Sequence, residues 1–426
     1  MKMIVKLIVL CVFGITLYAQ PNQNDVNIEV TRRVSLELLG PNSGPFMQPL
    51  TETLNATANA RFFRTAEIPD TGLYIRASLG GMVGFVRDNQ KTYTPVAPVI
   101  SDTAFLNLIS SGNLVQVNLF NPAATVIKDT TGLVVAIMKY LFWKGLKDPT
   151  SGFDFPKDAA TVYGNLDRKF VIGKDYLNKQ ITAPVDSGGD IYLSNIYKLL
   201  SPALQTSILS TVTGLPNYLT LAKGANVNTV MAGVPQFEIG SLYGTELLVR
   251  FVPPIKYDTV VGKFAFWGIG LKHSINKYWK DAPINLSTQL VYQGSTIENS
   301  VGATNSQLKA FTSIYGVNVQ GSKEWKGWNF YGGFSYETIK IHTDFTYYLP
   351  KELQRQLGLL PLDSDDPRPP MYPGDQKPQY TNVTFTDNAV KLTMGVSRSF
   401  GPFGVFLDYS VTKFNIFTFG IDYAIL

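Results

Sequence analysis

The stretch FGVFLDYSV, residues 403–411, is followed after Thr412 and Lys413 by FNIFTFGIDYAIL, residues 414–426. Phe403, Val405, Leu407, Tyr409 and Val411 fall on one side of an extended strand, with Phe406, Asp408 and Ser410 on the other. In the second run Phe417, Phe419, Ile421, Tyr423 and Ile425 share a side, against Thr418, Gly420, Asp422 and Ala424. A period of two is a strand signal. An apolar, aromatic face backed by a small, polar or charged one is the wall pattern of a barrel that spans a bilayer. Hydrocarbon wets the outside, and water or a polar plug fills the inside. A soluble sandwich also alternates, with its apolar face turned inward, so other signals must separate the two.

The same alternation recurs upstream. Leu73 to Phe85 reads as a first strand, with Leu73, Ile75, Ala77, Leu79, Val83 and Phe85 opposite Tyr74, Arg76, Ser78 and Met82. It returns at Gln236, where Phe237 and Ile239 oppose Glu238, and Leu247, Val249 and Phe251 oppose Glu246 and Arg250. Further strands follow around Lys263–Ile275, Ile284–Gln293, Phe311–Gln320, Trp328–Glu337 and Val390–Ser397. The polar faces collect Arg76, Glu238, Glu246, Arg250, Lys272, Glu337, Lys391, Asp408 and Asp422. These nine form a candidate lumen wall, whose opposite charges pair with each other and with a plug.

Connection lengths sort by end. If the last strand runs toward the periplasm, the links at 243–245, 276–281, 322–326 and 400–402 lie there, and all are short. The links at 253–260, 298–306 and 344–382 are external and longer; 412–414 is external but tight. Short periplasmic turns with longer outer loops characterise single-chain outer-membrane barrels, which have an even number of strands. About ten strands are visible, and residues 87–235 are expected to add two or four. The expected fold is an antiparallel transmembrane β-barrel of about 14 strands, with 12 as the alternative. Trp267, Trp279, Trp325, Trp328, Tyr409 and Tyr423 lie near strand ends, where interface girdles form.

Charged residues make up 16% of the 426, against a usual value of about 25%. No internal run is long enough for a membrane helix: Val134–Trp143 is short and carries Lys139. Residues 1–19 read as a secretory signal, with Lys2 and Lys6, an apolar core from Leu7 to Leu17, and Ala19 before the cut. Cys11, the sole cysteine, would leave with it. Residues 20–71 then form an N-terminal plug or periplasmic segment, and 72–426 the barrel. Val26–Leu39 suggests a helix ending at Gly40–Pro41. A second is expected within Phe46–Phe62, with Met47, Leu50, Leu54 and Ala58 on one face. Its polar face is Thr, Asn and Gln, which suits a wet, enclosed space, and Met47, Leu50, Leu54, Arg61 and Phe62 are the candidate plug residues. Within 87–235, helical pieces are expected at Thr103–Ser110, Leu133–Lys147 and Ile191–Val212, with strand pieces at Leu114–Phe120 and Thr161–Val171.

Catalytic and metal motifs are scarce. His273 and His342 lie in no zinc-binding frame, and no nucleophile elbow or phosphate-binding glycine loop occurs. His273 could serve as a general base, although a lone interfacial histidine is commonly structural. Asp363, Asp365 and Asp366 could hold calcium, but Pro367, Pro369 and Pro370 occupy positions where further ligands would be needed. No basic cluster interleaves with aromatics, so nucleic acid is not expected as a partner. No enzyme activity, cofactor or metal is expected.

The segments FMQPLTETLNATANARFFRTAEI (46–68), ATVYGN (160–165), PQFEIGSLYGTELLVRFVP (235–253) and GIGLKHSI (268–275) carry a resemblance. The chain resembles a family of Gram-negative outer-membrane barrels, distantly related to the long-chain fatty-acid transporter class. In those transporters an N-terminal segment plugs the barrel, and hydrophobic ligands enter from outside and leave sideways through the wall. The resemblance implies an outer-membrane location, 46–68 as the plug, membrane lipid around the wall, and a small hydrophobic molecule as ligand taken up passively. The same class includes barrels that serve secretion or surface attachment, which would bind a protein partner at the external loops. The insertion at 87–235 departs from the transporters.

Overall fold

A computed structural model describes residues 25–116, 126–200, 202–258, 262–301 and 306–426. The expected signal, with Cys11, lies outside these residues. Ten strands close into one antiparallel barrel. They are β1 (Thr71–Phe85), β2 (Thr229–Leu242), β3 (Thr245–Asp258), β4 (Gly262–Ser274) and β5 (Asn285–Val301). The others are β6 (Ser306–Trp325), β7 (Trp328–Tyr347), β8 (Gln379–Phe400), β9 (Phe403–Val411) and β10 (Ile416–Ala424). Neighbours in sequence pair throughout, and β1 closes the ring against β10, with Ser78 opposite Asp422 on one side and Gln236 on the other.

The strand number corrects the expectation of about 14 or 12. Among the described residues the insertion adds no strand to the barrel. It runs from Val86 to Asn228, so β2 begins earlier than its first alternating residue, Gln236, suggested. Its strand pieces are two- and three-residue ladders such as Lys169–Val171 against Tyr218–Thr220. The piece expected at Leu114–Phe120 is Val115–Gln116, and its remainder lies outside the described residues. The reason is composition: the insertion is helical, with α2 (Asp102–Ser110), α3 (Thr130–Gly145), α4 (Lys174–Thr182), α5 (Ile191–Leu199) and α6 (Pro202–Thr213). These pack into a cap around α3, whose Leu133 to Met138 and Tyr140 to Phe142 are all buried. A helix buried on every side reads as a uniform apolar run, without amphipathic spacing.

The loop between β7 and β8 also joins the cap. Leu349, Leu353, Leu357 and Leu359 lie in the cap core, leaving the Leu362–Met371 stretch exposed. The 344–382 segment is therefore not wholly a solvated loop.

One helix, α1 (Val26–Ala58), precedes the barrel. Its 33 residues span about 50 Å at about 1.5 Å per residue. It does not end at Gly40–Pro41. The residue before proline is pushed from helix chiefly by clashes with its Cβ and N–H. Glycine at 40 and 44, before Pro41 and Pro45, removes the Cβ part. Ile28, Val30, Val34 and Leu38 sit in the cap core, while Asn55 and later residues sit among the barrel strands. The helix therefore enters at the cap end and runs toward the short turns. Of residues 20–71, Ile28, Val30, Val34 and Leu38 belong to the cap core.

The turns at Tyr243–Gly244 and Lys326–Gly327 have positive φ at both positions, the hairpin geometry that matches strand twist. They lie at one end with the Gly401–Pro402 turn and the end of β10. The insertion, the β7–β8 loop and the start of α1 lie at the other.

The outer face changes character with height. On β7 the outward residues Trp328, Phe330, Phe334 and Tyr336 are aromatic, with Thr338 at their upper edge, while Lys340, His342 and Asp344 follow above. On β8 the outward residues are Val390, Leu392, Met394 and Val396 below, but Asn382, Thr384, Thr386 and Asn388 above. The inner face inverts in register: Glu337, Lys391 and Thr393 below give way to Ile339, Ile341 and Phe385 above. The apolar belt from Trp328 to Thr338 is about 26 Å tall, at about 3.4 Å per residue and a tilt of about 40°. That matches a belt of about 25 Å for a spanning wall. Reconstituted in vesicles, Phe334→Arg should destabilise the barrel by about 2–4 kcal/mol and Thr384→Arg by under about 1 kcal/mol. Denaturant unfolding followed by tryptophan fluorescence measures both; equal effects would place the belt elsewhere.

Candidate functional site: a plug fastened into the lumen

The last turn of a helix leaves carbonyls without intrahelical donors. α1 delivers that turn into the lower lumen, and the wall supplies the donors. Arg250 donates from Nη1 to the Ala58 carbonyl at 2.8 Å and from Nη2 to the Ala60 carbonyl at 2.6 Å. Lys391 donates to the Asn59 carbonyl at 2.7 Å. Gln236 holds Arg250 in place, accepting from Nε at 2.8 Å, and the guanidinium lies over the Phe62 ring at 3.9 Å. Both cations stand where the helix dipole is negative, an arrangement that stabilises each partner.

Beyond the helix, Arg61 takes a left-handed φ of +64° and turns the chain across the lumen. Its guanidinium meets Asp422 at 2.7 Å and covers the Phe406 ring at 3.6 Å. Arg64 reaches Asp422 at 3.0 Å and Glu238 at 3.3 Å. Phe62 and Phe63 fill the space between Leu248, Val291 and Tyr331. The Gln320 amide donates to the Phe62 carbonyl, and the Ala66 N–H donates to Ser322 Oγ at 2.8 Å. The lower lumen is thus packed and cross-tied.

All nine candidate wall residues face this interior. Arg76 pairs with Glu238 at 2.9 Å, and Lys272 with Glu246 at 2.7 Å. Lys391 pairs with Glu337, and Tyr331 donates to Asp408 at 3.2 Å. Tyr74 donates to Glu246 at 2.6 Å. Asp422 takes both of its arginines from the plug, so the wall's pairing is completed by the N-terminal segment.

The five candidate plug residues divide by height. Arg61 and Phe62 are in the fastened foot. Met47 and Leu54 pack higher, against Ala310, Ile314, Ile339, Ile341 and Phe385, and Leu50 packs near Met82, Phe414 and Ile416. The helix satisfies much of its own polar face: Thr53 Oγ1 donates to the Pro49 carbonyl and Thr57 Oγ1 to the Thr53 carbonyl, each at 2.8 Å. Asn55 and Asn59 bridge to the wall, reaching Asp387 and Gln293, each at 3.1 Å. Asn55, Asn59, Arg64, Phe63 and Asp387 were not among the residues singled out from the sequence. Strand parity marks Asp387 as inward, but nothing in the periodicity marks the others.

The remaining candidates lie apart. His273 sits near the short turns between Thr245 Oγ1 at 2.8 Å and Tyr278 OH at 3.1 Å. Asp363 pairs with Arg368 at 3.3 Å, and Asp365 with Arg355. No group of three metal-binding side chains occurs among the described residues. A groove of about 550 Å³ lies on the outer face of the wall, between Leu271, Leu290, Tyr315 and Tyr336, not in the lumen.

Lys391→Met strips the partner from a buried Glu337 and should cost about 3–5 kcal/mol of unfolding free energy. Adding Glu337→Gln should recover part of it. Denaturant unfolding in vesicles measures both, and an additive double variant would show that the pair does not act together.

No curated protein matches the chain. Among solved structures, OccAB2 of Acinetobacter baumannii aligns at 9% identity over 47% of this chain and 78% of that one, with a TM-score of 0.09. OccK2 (OpdF) of Pseudomonas aeruginosa aligns at 11% identity over 49% and 83%, also with a TM-score of 0.09. Likenesses of that size carry no structural equivalence. A family model described as a family of unknown function, DUF6588, matches residues 1–425, and the chain belongs to that family.

Proposed function

We propose that this protein is a plugged outer-membrane barrel, with its short turns toward the periplasm and its cap outside. In this reading it passively takes up a small hydrophobic molecule. The carrying observation is the apolar lining of the upper lumen. Ala310, Ile314, Ile339, Ile341 and Phe385 form a buried patch, flanked by Ile297 and Val383, and Met47, Leu54 and Ala58 of α1 pack against it. An apolar solute entering beneath the cap would meet this surface when the upper helix leaves it. The ion-paired foot below keeps water and ions from flowing through. The likeness to fatty-acid transporters lends the solute class, and the short-turn rule lends the orientation.

A second reading has its own support. The foot between Asn55 and Ala66 fills the lower lumen with charge-assisted bonds, as suits a barrel that anchors a surface cap and binds a protein partner there. Purified protein in liposomes separates the two. Uptake predicts saturable binding of an environment-sensitive fluorescent fatty acid and its transfer into vesicles above the protein-free rate. Ile341→Glu, on the upper lining, should lower that binding at least about tenfold, the effect of placing a charge on an apolar site. Absence of both binding and transfer overturns uptake and leaves the anchor.

A further inference from the structure

Residues 40–49 of α1 read GPNSGPFMQP, with prolines at 41, 45 and 49. Proline has no N–H, so the carbonyls of Glu37, Pro41 and Pro45 lose their i→i−4 donors, three bonds within one stretch. The stretch lies at the junction of two fixed bodies. Near its upper end, Asn42 fastens the stretch to the cap: its Nδ2 donates to the Val96 carbonyl and its Oδ1 accepts from the Val96 N–H, each at 2.8 Å. Below it, Asn55 begins the side-chain bonds to the barrel wall. Between these points Met47, Leu50 and Leu54 touch the wall through apolar contacts, and the Val162 N–H donates to the Phe46 carbonyl at 3.0 Å. Open space lies beside Gly40 and Gly44: a Cβ built on either meets nothing within 4 Å.

We propose that residues 40–49 are a hinge, about which the upper plug, 46–54, swings away from the apolar lining while the foot, 55–66, stays fastened. The proposal gives the uptake path its gate and rests on that reading. The geometry supports it twice over. The hinge lies at the cap–barrel junction, at the upper edge of the apolar lining. The part that must move is held by apolar contacts and one backbone hydrogen bond, from the Val162 N–H to the Phe46 carbonyl, whereas the part that must stay is held by ion pairs and by bonds to helix carbonyls.

Hydrogen exchange on the full chain in nanodiscs, without solute, tests the hinge separately from transport. Amides 42–48 should exchange at least about 100-fold faster than amides 55–60, as expected for a locally opening segment beside a fixed one. Equal protection of the two segments overturns the hinge. The triple variant P41A/P45A/P49A restores three N–H donors and should slow exchange at 42–48 at least about tenfold; unchanged exchange in a folded variant overturns the role given to the prolines. Fast exchange at 42–48 with no probe uptake leaves the hinge and removes the transport reading.

Discussion

The carbonyl end of α1 must find donors inside a closed wall, and Arg250 and Lys391 are placed to supply them. A helix terminus buried without partners leaves carbonyls desolvated, at a cost of about 1–3 kcal/mol each. A buried guanidinium or ammonium without partners is costlier still. Each side therefore answers the other's cost: the wall's cations need acceptors, and the helix end and the two residues after it supply three, at Ala58, Asn59 and Ala60. Asp422 extends the same logic, since Arg61 and Arg64 both come from the plug. Removing the plug would take both arginines from Asp422 and leave Arg250 with neutral glutamine acceptors, Gln236 and Gln293, for its hydrogen bonds. Plug and lower wall form one structural unit.

That unit occupies half the barrel's height, and the other half obeys the opposite rule. Ile339 and Ile341 face inward on the strand where Phe334 and Tyr336 face outward. The pleat does not slip; the apolar residues change parity near Thr338. Below that level the greasy face meets the surroundings and the interior is charged. Above it the interior is greasy, and Lys340, His342 and Thr384 meet the surroundings. A wall built this way satisfies two solvents with one continuous ladder, because pairing runs unbroken from Trp328 against Arg398 to Tyr347 against Gln379.

This parity change also explains what was legible in the sequence. The lower halves of the strands carry long aromatic runs against isolated charges, so Asp408, Asp422, Glu246 and Arg250 could be assigned to the inner face from period alone. The upper half of β7 carries an equally regular signal, Ile339 and Ile341 against Lys340 and His342, but in the opposite phase. Read without a boundary, it looks like the end of a strand. The strand total failed for a different reason: residues 87–235 were expected to add strands because barrels need many, whereas they fold into a helical cap, and the helical pieces read there coincide with α2, α3, α5 and α6. The plug's contacts were least visible. Asn55, Asn59 and Arg64 matter through partners about 170 to 330 residues away, and a helix with self-bonded threonines resembles any polar helix.

Helix direction supplies an internal check on how the chain threads. A helix carries partial positive charge at its start and partial negative charge at its end. Were α1 to enter from the short-turn end, its N–H terminus would lie beside Arg250 and Lys391, cations against the positive end of the dipole, and its carbonyls would end among the cap's apolar residues. Instead the first turn carries Glu29, beside Arg32 and Lys377 in the cap, and the last turn meets cations in the lumen. Charge placement at both ends thus agrees with entry from the cap. It follows that the proline stretch lies between the two electrostatic anchors: its backbone lacks three bonds, Asn42 and the Phe46 carbonyl tie it to the insertion, and neither end of the dipole falls within it.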